Sequence, residues 1–460
     1  MSGERGRLSS FAVLMVGVSS FSLVQSLVVP VLGTIRQELG TSQATVTWVL
    51  TAYLLSAAVC TPLLGRLGDV VGRRWVMATS LGALAAGSAI AAAAPNIGWM
   101  IVARVVQGLG GAATPLAFGI ARDILPSRRI AGAVSILSAM NAAGFGVGIL
   151  LAGPIVEGLG YRWLFLLPMV VTGSAAIVAA IVIPASRPSE ARMPSIMPVV
   201  LLTCWVTILL LGLSSAGEVG WLAPESLALG AASLVLMGGW GMAESRAGVP
   251  LIELRLMRVP AVAAANVASA LIGFSTFATY AFLPQFLQAP PEAGYGFHAS
   301  VTEAGRFLIP ASAASFIAGI VTARLVPRFG ARTLAVAGGL SMVAAYVVIV
   351  CWHHHPAPVY LMTSMLGFGT GMAFSSLSGV AVRAVPHHQS GLSAGVNTNV
   401  RTIGGAIGTA VLSAVIASDP RSYGPAEHSY IAGFVILGLS ALTAATAATF
   451  IPGRHPHVEA

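Results

Sequence analysis

Lysine is missing altogether, and charge of any kind is scarce. All 24 basic residues are arginine, they face 15 acids, and charged residues fill only 8% of the 460 positions. A soluble domain carries about 25% charged residues. A water-facing globular surface is therefore excluded, and a bilayer is the solvent that suits the chain. Cysteine is almost absent too. Cys60, Cys204 and Cys351 stand singly in apolar runs without CxxC or metal-ligand spacing, which excludes a disulfide framework and a zinc site. No GxxxxGK(S/T) loop is present to cradle a nucleotide, and no nucleophile elbow or triad order links the Ser, Asp and His residues. Neither an enzyme nor a bound cofactor or metal is expected. The net charge of +9 would suggest nucleic acid in a soluble protein, but no basic stripe with interleaved aromatics supports that reading.

What the chain has instead is apolar length. Hydrophobic residues make up 56%, and the mean hydropathy is +0.86. A spanning helix needs roughly 20 mostly apolar residues, and fourteen such runs can be drawn: 11–32, 46–65, 75–94, 98–120, 131–156, 163–183, 196–214, 224–243, 260–287, 304–324, 332–352, 357–381, 391–418 and 430–451. The segment Met1–Ser10 holds Arg5 and Arg7 and leads into the first run without a small-residue cleavage site, so it reads as a cytoplasmic tail and not a removed signal. With that tail inside, eighteen arginines fall in inner loops, and only Arg36, Arg162 and Arg421 fall in outer ones. This bias places both termini in the cytoplasm.

The chain also repeats itself. Arg66, Leu67, Gly72 and Arg74 recur as Arg324, Leu325, Gly330 and Arg332, and Asn141 and Gly146 recur at the same offset as Asn399 and Gly404. The first loop follows run two and the second follows run ten. Two six-helix halves, 1–195 and 244–460, with a two-helix insertion at 196–243, place both loops correctly. Parallel halves of this kind enclose a central cavity and suit an alternating-access carrier, with Asn141 and Asn399 facing one another across it.

These residues resemble the major facilitator superfamily and, within it, the fourteen-span drug:proton antiporters of multidrug and antibiotic efflux. Gly65-Arg66-Leu67-Gly68-Asp69 with Gly72-Arg73-Arg74 is similar to the signature loop between spans two and three, and Arg104-Val105-Val106-Gln107-Gly108 to the span-four motif. Gly144, Gly146, Gly148, Gly153 and Pro154 resemble the antiporter motif of span five; Trp48, Tyr53-Leu54-Leu55, Pro250-Leu251-Ile252 and Asn399 through Gly408 complete the pattern in order. The resemblance implies an all-α integral membrane fold in the cell (plasma or inner) membrane. It also implies export of hydrophobic, drug-like or antibiotic-like compounds by proton antiport, with the lipid bilayer, a small-molecule substrate and protons as partners. The fold is complete in one chain, so a monomer is expected.

The residue chemistry leaves several roles open. The loop glycines suit a tight turn, and Asp69 either pairs with Arg73 or sits at a helix N-terminus, which makes a salt-bridged latch; alternatively, Arg66, Arg73 and Arg74 merely set topology. Arg104 inside an apolar helix costs roughly 2.5–3.5 kcal/mol on insertion scales and serves either coupling or substrate binding, or hydrogen bonding to backbone carbonyls. The span-five glycines are equally a close-packing face. Gln25, Asn266, Gln285, Asn397, Asn399 and Arg401 offer polar groups in an otherwise apolar pathway.

One departure stands out. The family's usual span-one acid aligns with Val24, followed by Gln25, and neither takes up a proton. Asp69, Asp123, Glu157, Glu244 and Glu303 all fall near membrane faces, which leaves Glu157 and Glu303 as the candidates for coupling. The same absence disfavours strongly cationic substrates. A narrow-substrate metabolite transporter of the same fold, with different or no proton coupling, remains the alternative. The tracts His353-His354-His355 and His387-His388 fall in loops, one outer and one inner, so metal or pH sensing is not expected of them.

Overall fold

The computed structural model describes residues 4–185, 193, 195–250, 254–257, 259–383, 390–417, 420–421 and 424–452. Leu251 and Ile252 of the expected hallmark, Arg187, Arg192, Arg258 and Arg454, and the His387-His388 pair lie outside the described residues.

Helices account for almost all of the described chain. The apolar runs appear as α1 (Glu4–Leu27), α2 (Leu32–Glu38), α3 (Gln43–Val71), α4 (Arg73–Ala93), α5 (Ile97–Gly108), α6 (Ala113–Ile124), α7 (Ser127–Leu159), α8 (Trp163–Val182), α9 (Ile196–Val219) and α10 (Pro224–Arg246). The short α11 (Leu254–Met257) precedes α12 (Pro260–Leu287), α13 (Val301–Phe329), α14 (Ala331–Cys351), α15 (Pro356–Arg383), α16 (Ser390–Ala417) and α17 (Glu427–Thr449). Two-residue strands, Pro420–Arg421 and Gly424–Pro425, pair before α17.

Twelve helical segments among the described residues are long and apolar enough to cross a membrane. Helices also run through the other two expected segments: α7, whose described apolar stretch is the shorter Gly144–Leu159, and α15. Two expected spans are interrupted. Pro30 breaks the first into α1, a 3₁₀ turn at Val29–Val31 and α2. The second interruption is a 3₁₀ turn at Leu109–Ala112 between α5 and α6, where Gly108 and Gly111 let the chain press against Ala57 of α3.

The chain divides into two compact units, Met1–Leu251 with Ser300–Gly305, and Ile252–Ala299 with Arg306–Ala460. In the first, α1 packs on α7 and α8, and α4 packs on α8 and α5. Gly144 and Gly148 of α7 lie so close to α1 that a Cβ at either position would strike its backbone at Ser19 or Leu23. The hairpin of α9 and α10 is closed at its base, where Ser195 N–H donates to Val249 C=O at 3.1 Å. Its α10 turns Leu234 and Val235 outward at 64% and 75% exposure. Apolar side chains fully presented along a 23-residue helix are lipid-facing.

The second unit pairs α12 with α16 and packs α14 between α15 and α17. Gly404 and Gly408 of α16 press on the α12 backbone at Ala270 and Phe274. Both units thus use small residues for close helix pairs, as membrane helices do in place of a hydrophobic driving force. The repeat also shows in the turns. Gly72 (φ +114°) is the single residue between α3 and α4, and Gly330 (φ +80°) the single residue between α13 and α14. A one-residue link between long helices needs a positive φ that a Cβ strongly disfavours.

Candidate substrate and coupling sites

The expected latch residues converge on Arg73. Its Nη2 and Nε donate to Asp69 Oδ1 at 2.8 and 3.0 Å, and its Nη1 donates to Asp123 Oδ1 at 2.7 Å and Oδ2 at 2.8 Å. Nη1 also reaches Gly119 C=O at 3.3 Å. One guanidinium therefore fastens the end of α3, the start of α4 and the end of α6. Asp69 lies in the last turn of α3, not at a helix N-terminus, so of the two expected roles the pairing holds. Asp123, read from the sequence only as a carboxylate near a membrane face, is the second partner, and no local spacing signals it.

The glycines of this motif differ in what they do. Gly72 alone has a positive φ; Gly65 and Gly68 are helical. Gly68 makes room for Leu116, whereas a Cβ at Gly65 would meet nothing within 4 Å. A tight turn therefore needs one glycine and not three. Arg74 donates to Ala180 C=O of α8 and lies 5.1 Å from the Trp75 ring centroid, and Arg66 is half-buried. Arg73→Ala is expected to slow transport at least roughly tenfold. Asp69→Asn and Asp123→Asn singly should cost less, because Arg73 keeps one carboxylate in each, and the double variant should match Arg73→Ala. Efflux rates at matched membrane abundance check the order.

Arg104 is fully buried in α5. Its Nε donates to Val49 C=O at 2.7 Å, and its Nη1 to Gln107 Oε1 at 2.6 Å and to Val24 C=O at 3.5 Å. The guanidinium carbon lies 4.2 Å from the Tyr53 ring centroid. Gln107 in turn donates to Ser88 Oγ of α4 at 2.8 Å. This is the geometry of a hydrogen-bond donor to neutral groups, joining α1, α3 and α5 directly and α4 through Gln107. Asn141 Nδ2 donates to Thr114 Oγ1 at 3.1 Å, and Gln25 is half-buried in α1.

The two glutamates singled out for coupling meet on one helical turn. Glu157, near the end of α7, accepts from Thr302 N–H at 3.0 Å and from Thr302 Oγ1 at 2.7 Å. Glu303 accepts from Ser300 N–H at 2.9 Å while Ser300 Oγ accepts from Glu303 N–H at 3.2 Å. That reciprocal pair is a capping box on α13. Both carboxylates are exposed. Gly153 removes the Cβ that would overlap Thr302, and Pro154 stands inside a helix that continues to Leu159.

In the second unit a polar knot forms between α12, α15 and α16. Asn397 Nδ2 donates to Asn266 Oδ1 and to Ser269 Oγ, both at 2.9 Å, and Ser378 Oγ donates to Asn397 Oδ1 at 3.3 Å. Asn399 is buried in the same helix, and Arg401 lies one turn beyond Asn397 with its guanidinium carbon 4.3 Å from the Phe374 ring centroid. Gln285 does not join this knot; its Nε2 donates to Ala281 C=O of its own helix at 3.0 Å. His353 lies in the turn between α14 and α15, as expected, but its side chain is buried. It is 8% exposed, with Nδ1 3.0 Å from Ile349 C=O and Nε2 2.7 Å from Glu427 Oε1. Together with His354 these groups put three potential ligand atoms within 4.8 Å of one another, a set able to hold a metal ion.

Long apolar helices with arginines and amides held inside them define a polytopic helical membrane protein. The Major Facilitator Superfamily sequence profile matches residues 14–409, and the chain belongs to that family. It is 30% identical over 390 residues to the Multidrug resistance protein B homolog of Mycobacterium tuberculosis (strain ATCC 25618 / H37Rv), covering 82% of this chain and 70% of that one. It is 29% identical over 474 residues to the Tetracenomycin C resistance and export protein of Streptomyces glaucescens, covering 99% and 86%. Among solved structures the human organic anion transporter MFSD10 shares the fold, with a TM-score of 0.66, 18% identity and coverage of 96% and 99%. The chain is a multi-pass protein of the cell membrane, with the bilayer and a small-molecule substrate as its partners.

Proposed function

We infer that this chain is a secondary-active exporter of hydrophobic, drug-like or antibiotic-like small molecules. In this reading it works as a monomeric proton antiporter of the fourteen-span type, with both termini cytoplasmic, and α9 and α10 are an insertion between two six-helix halves. The observation that carries export is the relationship along 99% of the chain to a resistance and export protein. The α7 glycines seated on the α1 backbone support the antiporter motif. Two helices that touch backbone to backbone slide as a unit when an alternating-access carrier changes state.

For coupling, the proton-responsive group is Glu157. Its two oxygens accept two hydrogen bonds from Thr302. The ionised carboxylate accepts both; protonation turns one oxygen into a donor and weakens the cap. The contact is therefore made while the carboxylate is ionised and loosened when it takes up a proton. In cells expressing the chain, efflux of a neutral aromatic dye should collapse on addition of a protonophore. Glu157→Gln should keep substrate binding and reduce proton-driven efflux roughly tenfold or more. Efflux that survives uncoupling sinks the antiport mechanism. It would favour the second reading, a narrow-substrate carrier without proton coupling, for which Val24 in the place of the usual acid is the supporting observation.

A further inference from the structure

The interior holds two arginines, and they are solvated very differently. Arg104 finds acceptors on two of its three nitrogens: two backbone carbonyls and the Gln107 amide oxygen lie within reach of Nε and Nη1, and Nη2 is left without one. Arg401 has no such acceptor among the described residues. Its guanidinium rests on the face of Phe374 at 4.3 Å, and the side chain is only partly buried. Of the carboxylates described in this unit, Glu427 is engaged by His353, and Glu292 sits in a 3₁₀ turn before α13. Neither lies on the helices that carry Arg401 or Phe374.

The polar group next to Arg401 is also rich in donors. Asn397, one turn earlier on α16, gives its amide hydrogens to Asn266 Oδ1 and Ser269 Oγ, which leaves the buried Asn266 Nδ2 without an acceptor. Arg401 on α16 and the spare Asn266 amide on α12 are donors for which the described residues supply no acceptor. A guanidinium lying over a ring presents its edge as a two-pronged donor.

We propose that the favoured substrate is an aromatic organic anion, a carboxylate, sulfonate or phenolate on a flat apolar body, with its charge held by the free edge of the Arg401 guanidinium and its ring beside Phe374. This rests on the exporter reading and narrows it. The anion completes what Arg401 lacks, so the charge is neutralised inside the bilayer only when substrate is bound. A cationic drug at the same place would add a second unpaired positive charge. Val24 supplies no counter-ion in the first unit, and no acid lies on α15 or α16, which carry Phe374 and Arg401.

The test uses two dyes with the same ring skeleton, 8-anilinonaphthalene-1-sulfonate and neutral N-phenyl-1-naphthylamine, with ethidium as the cation. Binding to the full chain in nanodiscs is read by fluorescence, with empty nanodiscs subtracted. The sulfonate is expected to bind at least tenfold more tightly than ethidium. Arg401→Gln is expected to lower the sulfonate-to-neutral affinity ratio at least tenfold, and Arg401→Lys to restore most of it. A ratio unmoved by Arg401→Gln, or tighter binding of ethidium than of the sulfonate, overturns the proposal. Proteoliposome transport separates the two claims. Transport of the neutral dye without a preference for the anion overturns the anion assignment and leaves the exporter intact. If none of the three dyes is transported, the drug-exporter reading fails, and the binding ratio still decides the role of Arg401.

Discussion

Arg104→Leu is expected to destabilise the first unit by about 3–5 kcal/mol, since each hydrogen bond to a charged group contributes about 1.5–3 kcal/mol, and to abolish transport. The reason lies in what the side chain joins. A single guanidinium donates to Val49 on α3 and Val24 on α1, fixes Gln107 on its own helix, and lies over Tyr53. Leucine fills the volume but makes none of these bonds. Gln107 Oε1 would then be buried without its donor, a loss of roughly 1–3 kcal/mol by itself, and the Gln107–Ser88 bond to α4 would lose its anchor. Arg104→Lys keeps the charge but reaches one acceptor at a time, so it should fall between. Thermal unfolding of purified protein should drop on the order of 10 °C for the leucine variant. An unchanged midpoint with transport lost would mean that Arg104 acts in coupling and not as a brace.

Much of this architecture could be read in the residues because bilayer physics is strict. Each apolar run must be helical, and the boundaries expected for α12, 260–287, coincide with the helix. The interruptions were harder to foresee. Pro30 is a visible breaker, but the 3₁₀ turn after Gly108 depends on how closely Ser56 and Ala57 of a neighbouring helix approach, which is a packing fact and not a local one. The site shows the same division. Asp69 and Arg73 lie four apart, so their pairing was legible, whereas Asp123 is 50 positions away and enters only through the fold. Glu303, a coupling candidate by sequence, also carries an S-x-x-E capping signature at Ser300, and the cap is what the structure shows. Gln285, expected along the pathway, gives its amide N–H to Ala281 on its own helix turn, a bond that spacing alone does not signal. His353 sits in the turn between two runs, and it is buried there because Glu427, 74 positions later, captures it.

The other large effect falls on the α12–α16 pair, and there even alanine should be too big. A Cβ at Gly404 would overlap Ala270 C=O and stand 2.9 Å from its Cα; one at Gly408 would overlap Phe274 C=O and stand 2.7 Å from its Cα. These obstacles are backbone atoms of a packed helix, so no rotamer change relieves them. The helices must separate, and overpacking of this kind costs about 1–3 kcal/mol per site. Two sites one turn apart act on the same interface and cannot relax independently, so the double alanine variant should not accumulate as folded protein. Gly65→Ala is the opposite case. With nothing within 4 Å of the added carbon, it should be neutral or stabilise by roughly 0.5–1 kcal/mol, because glycine inside a helix is costly relative to alanine. Fluorescence-detected gel filtration of detergent extracts ranks the variants directly. If Gly404→Ala and Gly408→Ala matched Gly65→Ala in monodisperse yield, the close approach of α12 and α16 would not be what holds the second unit together. If they fail as expected, the glycines of α16 are explained by packing alone. The Asn397 and Arg401 side chains on the same helix are then held at fixed depth by a contact that leaves no room to shift.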